Sequence, residues 1–248
     1  MANFDSPHAK LNRAIEQADA LDRTLSPLSN LASYKTVDNE TGEQIYRLDD
    51  VPPIPDSLNL VIGEILYNFR CSLDHLIWQL VLSENNIPNY QNEFPIFDNV
   101  SKYEAKKPSK LRGLSNPIIS IIDSLQPCYS TGDNDYWKWL WYLQVLNNVD
   151  KHRHLLVTRR TLGKRLRVSG TDPQLTGTTG TFLAVPVEKG AVFFRTKSRL
   201  EMDVKPTINI VFGNPPSGIR KDLPITNIFG LIKASVLTVF GKLSPYIK

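Results

Sequence analysis

The segment from Asp56 to Leu82 is the part of the chain that most constrains its fold. Its apolar residues recur at intervals of three and four, and no proline interrupts them. This spacing predicts a long α-helix with one apolar face, formed by Ile62, Leu66, Phe69, Leu73, Leu76, Ile77 and Leu80. At about 100° per residue, the opposite face carries Glu64, Asn68, Cys71 and His75. Because Tyr67 and Trp78 flank that polar face, we expect another layer of helices or a second copy of the chain to cover it.

Apolar periodicity predicts four further helices, at residues 6–26, 116–125, about 135–150 and in the stretch that begins at Asp222. A proline lies close to the start of three of them, as is common at helix N-termini. The helix at about 135–150 holds three of the four tryptophans, and its apolar stripe favours a buried bundle helix over a platform for stacking bases. Residues 84–116 are predicted to be loop, because asparagine and proline are frequent there.

Alternating apolar residues predict strands at 44–48, 155–162, 180–187, 190–196 and 204–212. The fold class is therefore α+β: a helical bundle, a β-rich segment at about 155–213, and a C-terminal helix that packs back on the bundle. We expect residues 1–248 to form a single domain, with a helical part at about 1–154 and 222–248.

Composition excludes several classes of protein. Of the 248 residues, 41% are apolar and 22% are charged, as in ordinary globular proteins. The N-terminus lacks the apolar core of a signal peptide, and no run of about 18 uncharged apolar residues occurs, so we expect a cytoplasmic protein without membrane contact. Two cysteines are too few for a disulfide scaffold or a four-cysteine zinc site. The sequence also lacks the motifs of phosphate loops, dinucleotide folds and serine-hydrolase elbows.

Two segments combine the residue types that perform acid–base and phosphate chemistry. The first runs from Arg70 to His75 in the long helix, and the second runs from Asn147 to His154 at the end of the tryptophan-rich helix. A histidine can take the proton of a ribose 2′-hydroxyl, and an arginine can stabilise charge that develops on a phosphate. Arg70 and His75 are about 140° apart around one helix, so a joint site needs either another helix or a second copy of this one. A second copy would be supplied by a homodimer, which is the oligomeric state we expect.

Three segments resemble a widespread family of uncharacterised bacterial proteins: residues 66–80 (LYNFRCSLDHLIWQL), 94–97 (FPIF) and 148–153 (NVDKHR). The stretch from Arg70 to His75 is also similar to the Arg-x4-6-His signature of the HEPN superfamily. This second resemblance implies a helical bundle that binds RNA, or cleaves it without a metal or other cofactor. His75 is then the general acid or base, and Arg70 contacts the phosphate. The supporting groups are Asn68, Asp150 and His152.

A basic segment follows the second cluster. It contains seven cations and no acid between its first and last members: Lys151, Arg153, Arg159, Arg160, Lys164, Arg165 and Arg167. Such a run suits the phosphate backbone of a nucleic acid, and together with the HEPN resemblance it makes RNA the expected partner.

A non-enzymatic interpretation fits the same residues. Arg70 and Asp74 have the i, i+4 spacing of a helical ion pair. His75 can hydrogen-bond to Asn68, Asp150 or a backbone carbonyl in a polar layer between helices. The protein is then an interaction protein whose basic segment binds a nucleic acid or another acidic partner.

A third interpretation is a metal-dependent hydrolase. Asp150 and His154 share a helix face if the helix continues that far, and Asp74 or His75 would complete a carboxylate and imidazole set. The spacing matches none of the well-defined metal motifs.

Overall fold

The computed structural model describes residues 3–29, 31–129, 137–152, 158–169, 181–182, 187–197 and 203–247. The helices in these ranges are α1 (Asp5–Ser29), α2 (Ser57–Ser83), α3 (Val100–Lys110), α4 (Asn116–Ser124), α5 (Trp137–His152) and α6 (Ile225–Leu243). The strands are β1 (Ser33–Val37), β2 (Gln44–Leu48), β3 (Thr158–Ser169), β4 (Thr181–Phe182), β5 (Val192–Thr196) and β6 (Asp203–Phe212). The α+β class is confirmed, with α6 packed back on the bundle.

Helix α2 is the centre of the bundle. All seven residues of its predicted apolar face have an exposed fraction of 0%. They form one core with residues of α5 and α6, among them Leu140, Leu143 and Leu146. The tryptophans of α5 are half-buried and pack against this core, as predicted for a bundle helix.

Helix α1 covers the polar face of α2. Asn68 donates a hydrogen bond to the Gln17 side-chain oxygen over 2.9 Å, and Gln17 donates to Glu64 over 2.8 Å. Lys10 donates to the Asn68 side-chain oxygen over 3.3 Å. The prediction that this face is covered is therefore confirmed only in part: α1 of the same chain covers Asn68, whereas Glu64, Tyr67 and Trp78 are exposed. Since each bond joins long polar side chains, these pairs fix how α1 and α2 align along their length.

Two helix predictions were wrong. Helix α1 does not end before Pro27 but continues to Ser29. Proline removes one backbone donor, which costs little in a last turn, and Leu25 and Leu28 hold that turn against the core. The Arg160 side chain also donates to the Leu28 carbonyl over 3.1 Å, which satisfies an acceptor at the helix end.

The second error is α3, which lies inside the segment predicted to be loop. Its N-cap, Asn99, accepts a hydrogen bond from the backbone N–H of Lys102 over 3.0 Å. Tyr103 is the one residue of this helix that is fully buried. A helix with a single buried residue has almost no apolar periodicity, which is why the sequence pattern missed it.

The strands form two antiparallel sheets, in the orders β1-β2-β5-β4 and β3-β6. Strand β2 is confirmed at the predicted residues, and β1, which was not predicted, pairs with it. Their turn is held by the Asp38 carboxylate, which accepts from the backbone N–H groups of Glu40 and Thr41 over 2.9 Å. The first fifty residues therefore supply half of the four-stranded sheet, in addition to the strands predicted at 155–213.

Among the described residues, one helical segment is long and apolar enough to cross a membrane. It is Ile225–Tyr246, which consists of α6 and the short 3-10 turn after it. Of its most apolar window, 44% is buried inside the protein. Length and composition do not separate a membrane helix from a core helix, so the absence of membrane contact stays a prediction.

Candidate functional site

A cavity of about 570 Å³ lies between α2, α3, α5 and the segment before α3. We call it the motif cavity. Its lining residues are Arg70, Asp74, Tyr90, Gln91, Glu93, Phe94, Ile96, Phe97, Lys106, Ser109, Lys110, Gln144, Asn147, Asn148 and Lys151. Members of all three segments that resemble the bacterial family are among them, although these segments are separated along the chain. The fold therefore brings the three segments to one place.

Arg70 is the buried charge of this cavity, with 7% of its side chain exposed. Its Nη2 donates to the Asp74 carboxylate over 2.9 Å and to the Phe94 carbonyl over 2.8 Å. The predicted helical ion pair is thus confirmed. Burial lowers the pKa of Arg70 and raises the pKa of Asp74, while each charge opposes the shift of the other. Nη1 of Arg70 is buried without a hydrogen-bond partner in the described structure.

Three lysines give the motif cavity an excess of positive charge. Lys110 pairs with Glu93 and is half-buried, and burial lowers its pKa. Lys106 and Lys151 are exposed at the cavity. The lining therefore holds four cations, which are Arg70 and the three lysines, and two carboxylates, which are Asp74 and Glu93. This is a formal excess of two positive charges. The cavity is therefore electrostatically suited to an anion.

Helix α5 contributes a row of polar groups at helical spacing. Gln144, Asn147, Asn148 and Lys151 occupy positions i, i+3, i+4 and i+7. Only 3% of Asn147 is exposed, and the side-chain oxygen of Gln144 is buried without a hydrogen-bond partner in the described structure. A buried amide oxygen that the protein leaves unsatisfied, such as that of Gln144, can be satisfied by a bound ligand. Sequence analysis included Asn147, Asn148 and Lys151 in its second cluster but missed Gln144, because the tryptophans of the same helix dominate its pattern there.

Among the side chains that the structure describes, the residues proposed for catalysis do not come together in one site. His75 hydrogen-bonds through Nδ1 to the Ser6 hydroxyl and lines a different cavity from Arg70. Asn68 is part of the contact between α1 and α2. The backbone of His152 ends α5, and its side chain lies outside the described structure.

Asp150 lies on α5 where that helix meets α2. Its carboxylate occupies the space beside Gly63, where any larger residue would collide with it. Burial raises the pKa of Asp150, and its Oδ1 is buried without a hydrogen-bond partner in the described structure. Asp150 is thus held between helices rather than at the motif cavity.

The basic segment is divided between several environments. Lys151 lies at the motif cavity, with its ammonium nitrogen 4.8 Å from the centre of the Tyr67 ring. Arg159 is exposed on β3, whereas Arg160 is half-buried and its pKa is lowered by burial. Arg153 lies outside the described residues. The strand also includes Lys164, Arg165 and Arg167, whose side chains are outside the described structure.

Among the described residues, no group of three histidine, cysteine, aspartate or glutamate side chains is placed to hold a metal ion. His154, one member of the set considered above, lies outside them.

No family model matches the chain, and no curated protein or solved structure is similar to it. The resemblances drawn from the sequence therefore remain predictions.

We expect Asp150→Asn to stabilise the protein at pH 7. Because burial raises the pKa of Asp150 above 3.8, the folded chain binds this proton more tightly than the unfolded chain does. The free energy of unfolding therefore falls as the pH rises from 3.8 through the folded-state pKa. Asparagine does not ionise, so the variant does not lose this free energy. Thermal melts measure this effect. Asp150→Asn should melt at the same temperature as wild type at the acidic end of the range, and at a higher temperature by a constant amount above the folded-state pKa. The exposed Asp49→Asn is the control, and a lower melting temperature for Asp150→Asn at pH 7 would contradict the prediction.

Proposed function

We propose that the protein binds a nucleotide unit in the motif cavity, either as a free mononucleotide or as part of an RNA chain. The observation that supports this most is the buried Arg70, which lines the cavity with one guanidinium nitrogen still unpaired. A buried donor without a partner is costly, and a phosphate oxygen would satisfy it once the neighbouring side chains, which now shield Nη1 from solvent, move aside. The volume of about 570 Å³ lies within the range of small-molecule sites.

The phosphate group would be bound by the cations of the cavity. Asp74 and Glu93 already neutralise much of the charge of Arg70 and Lys110. The net excess of positive charge thus comes from Lys106 and Lys151, which are exposed and accessible to an entering anion. Their side chains would attract the phosphate first, and Arg70 would fix it more deeply.

The base would be recognised by amide groups. Asparagine and glutamine side chains offer a donor and an acceptor side by side, as the edges of nucleobases do. Gln144 and Asn147 lie along one side of the cavity, and Phe97 adds an aromatic ring on which a base can stack. Phosphate alone would need none of these groups, so their presence favours a whole nucleotide.

The proposal is for binding rather than cleavage. The reaction predicted from the sequence needs Arg70 and His75 at one phosphate, and within a single chain they line separate cavities. A homodimer could still combine them, and remains a prediction.

The test is isothermal titration calorimetry of the full chain with adenosine 5′-monophosphate, adenosine, inorganic phosphate and a short single-stranded oligoribonucleotide. Lys106→Glu places a negative charge at the cavity and should weaken nucleotide binding by about tenfold or more. Lys102→Glu is the matched control, because it makes the same charge change on the same helix at an exposed residue outside the lining. Gln144→Met should weaken the mononucleotide while leaving inorganic phosphate unchanged.

The outcomes separate the two sources of the nucleotide. If wild type binds the mononucleotide and Lys106→Glu binds it more weakly, the ligand is a free nucleotide. If only the oligoribonucleotide binds, and Lys106→Glu weakens that binding, the ligand is RNA. Equal losses in Lys102→Glu and Lys106→Glu, or binding of neither ligand, would contradict the proposal. If wild type instead cleaves the RNA in the presence of EDTA, and His75→Ala does not, the protein is the predicted ribonuclease.

A further inference from the structure

A second cavity lies beside α2 at the start of α1, and has a volume of about 320 Å³. We call it the α1 cavity. Its lining consists of Ser6, Asp74, His75, Trp78, Gln79 and Asn92. Asp74 also lines the motif cavity, whereas Ser6 and His75 do not.

The α1 cavity contains a serine hydroxyl bonded to an imidazole. Ser6 Oγ and His75 Nδ1 form a hydrogen bond, although 69 residues separate them in sequence. A hydroxyl beside a histidine nitrogen is the arrangement that activates serine as a nucleophile, since the ring accepts the proton as the oxygen attacks. Both residues are half-buried, so the pair is sheltered but still reachable.

The fold holds this pair in place from both sides. The backbone N–H of Asn3 donates to the Gln79 side-chain oxygen over 2.9 Å, which attaches the start of α1 to α2 one turn beyond His75. The bonds of Lys10 and Gln17 to α2 extend the same contact along the helix. Because both helices are rigid elements, Ser6 and His75 are kept together without depending on a flexible loop.

The position of Ser6 also suits the charge that develops during attack. Ser6 is the second residue of a helix of 25 residues, so its backbone N–H has no acceptor within the helix. An N–H of this kind, at the positive end of the helix dipole, stabilises an oxyanion formed beside it.

Asp74 does not complete a triad here. The hydrogen bonds that the described residues give its carboxylate come from Arg70 and from the backbone N–H of Phe94. Asp74 therefore serves the motif cavity, and the chemistry of the α1 cavity rests on two residues.

We propose that Ser6 and His75 form a catalytic dyad that hydrolyses small carboxylic esters. Ser6 Oγ attacks the carbonyl carbon while its proton passes to His75 Nδ1. The C–O bond to the alcohol then breaks, and His75 returns the proton to the departing oxygen, which leaves an acyl group on Ser6. Water attacks this acyl-serine and gives one proton to His75, which hands it to Ser6 Oγ as the acid departs.

The substrate class follows from the size and lining of the cavity. A volume of about 320 Å³ accommodates a short acyl group with a small alcohol. Trp78 offers an apolar surface, and the Asp74 carboxylate already pairs with Arg70 and offers little free charge to a substrate. Neutral short-chain esters are therefore the expected class.

The experiment uses the full chain with p-nitrophenyl acetate and with a fluorophosphonate probe, whose site of attachment is mapped by mass spectrometry. Wild type should release nitrophenol and carry the probe on Ser6. Ser6→Ala should abolish both signals, and His75→Gln should reduce both by at least about a hundredfold.

The controls separate catalysis from folding. Ser101→Ala removes an exposed serine from the first turn of α3, and His8→Gln removes an exposed histidine from α1. Both should behave as wild type. Absence of the probe from Ser6 in wild type, or full labelling in His75→Gln, would overturn the dyad. If Ser6→Ala and His75→Gln lower the melting temperature and the wild-type rate is no higher than theirs, the bond is purely structural. Nucleotide binding in the motif cavity should persist in every variant, so failure of this proposal is distinguishable from failure of the first.

Discussion

Arg70→Met is expected to destabilise the protein by about 3–5 kcal/mol, because it removes one partner of a buried ion pair. Methionine can fill much of the space, but it cannot replace the donors to Asp74 and to the Phe94 carbonyl. The Asp74 carboxylate would be left in an environment where burial already raises its pKa. The destabilisation should therefore be greatest near pH 7 and should shrink as the pH falls and Asp74 becomes protonated.

Chemical denaturation at several pH values measures this effect. Arg112→Met is the matched control, since Arg112 is exposed and its loss should change the free energy of unfolding by less than about 0.5 kcal/mol. The double variant Arg70→Met with Asp74→Leu should recover part of the loss, because it also removes the unpaired carboxylate. If the single and double variants are equally unstable, the ion pair is not the cause.

Leu66→Ala is expected to cost about 2–5 kcal/mol, through lost burial and the space left in the core. Leu66 lies on the apolar face of α2 with an exposed fraction of 0%, in the core that α2 shares with residues of α5 and α6. Close packing on several sides leaves little room for neighbours to move into the gap.

The matched control lies on the same helix. Leu60→Ala makes the same chemical change where 55% of the leucine is exposed, and it should cost less than about 0.5 kcal/mol. Denaturation midpoints of the two variants measure the difference directly. Equal effects would contradict the assignment of the buried face.

The sequence by itself determined the architecture of the bundle. The apolar stripe of α2 was predicted residue by residue, because a period of 3.6 assigns each side chain to a face before any partner is known. The same reasoning placed α4 and β2 at nearly their observed bounds, and it began the last helix at Asp222, three residues before α6. It failed for α3, whose one buried residue, Tyr103, produces no period, and at Pro27, where packing outweighs the local preference.

The sites were decided by the tertiary structure alone. Arg70 was identified from the sequence, but the Glu93 and Lys110 that share its cavity come from other elements. His75 was predicted to be a general acid or base acting on RNA, and its contact with the hydroxyl of Ser6, 69 residues away in the sequence, was not foreseen. Periodicity describes how one element divides its faces, and it carries no information about which distant residues will lie opposite a given face. That choice is made by the packing of α1, α3 and α5 around α2, and it is this packing that creates both cavities.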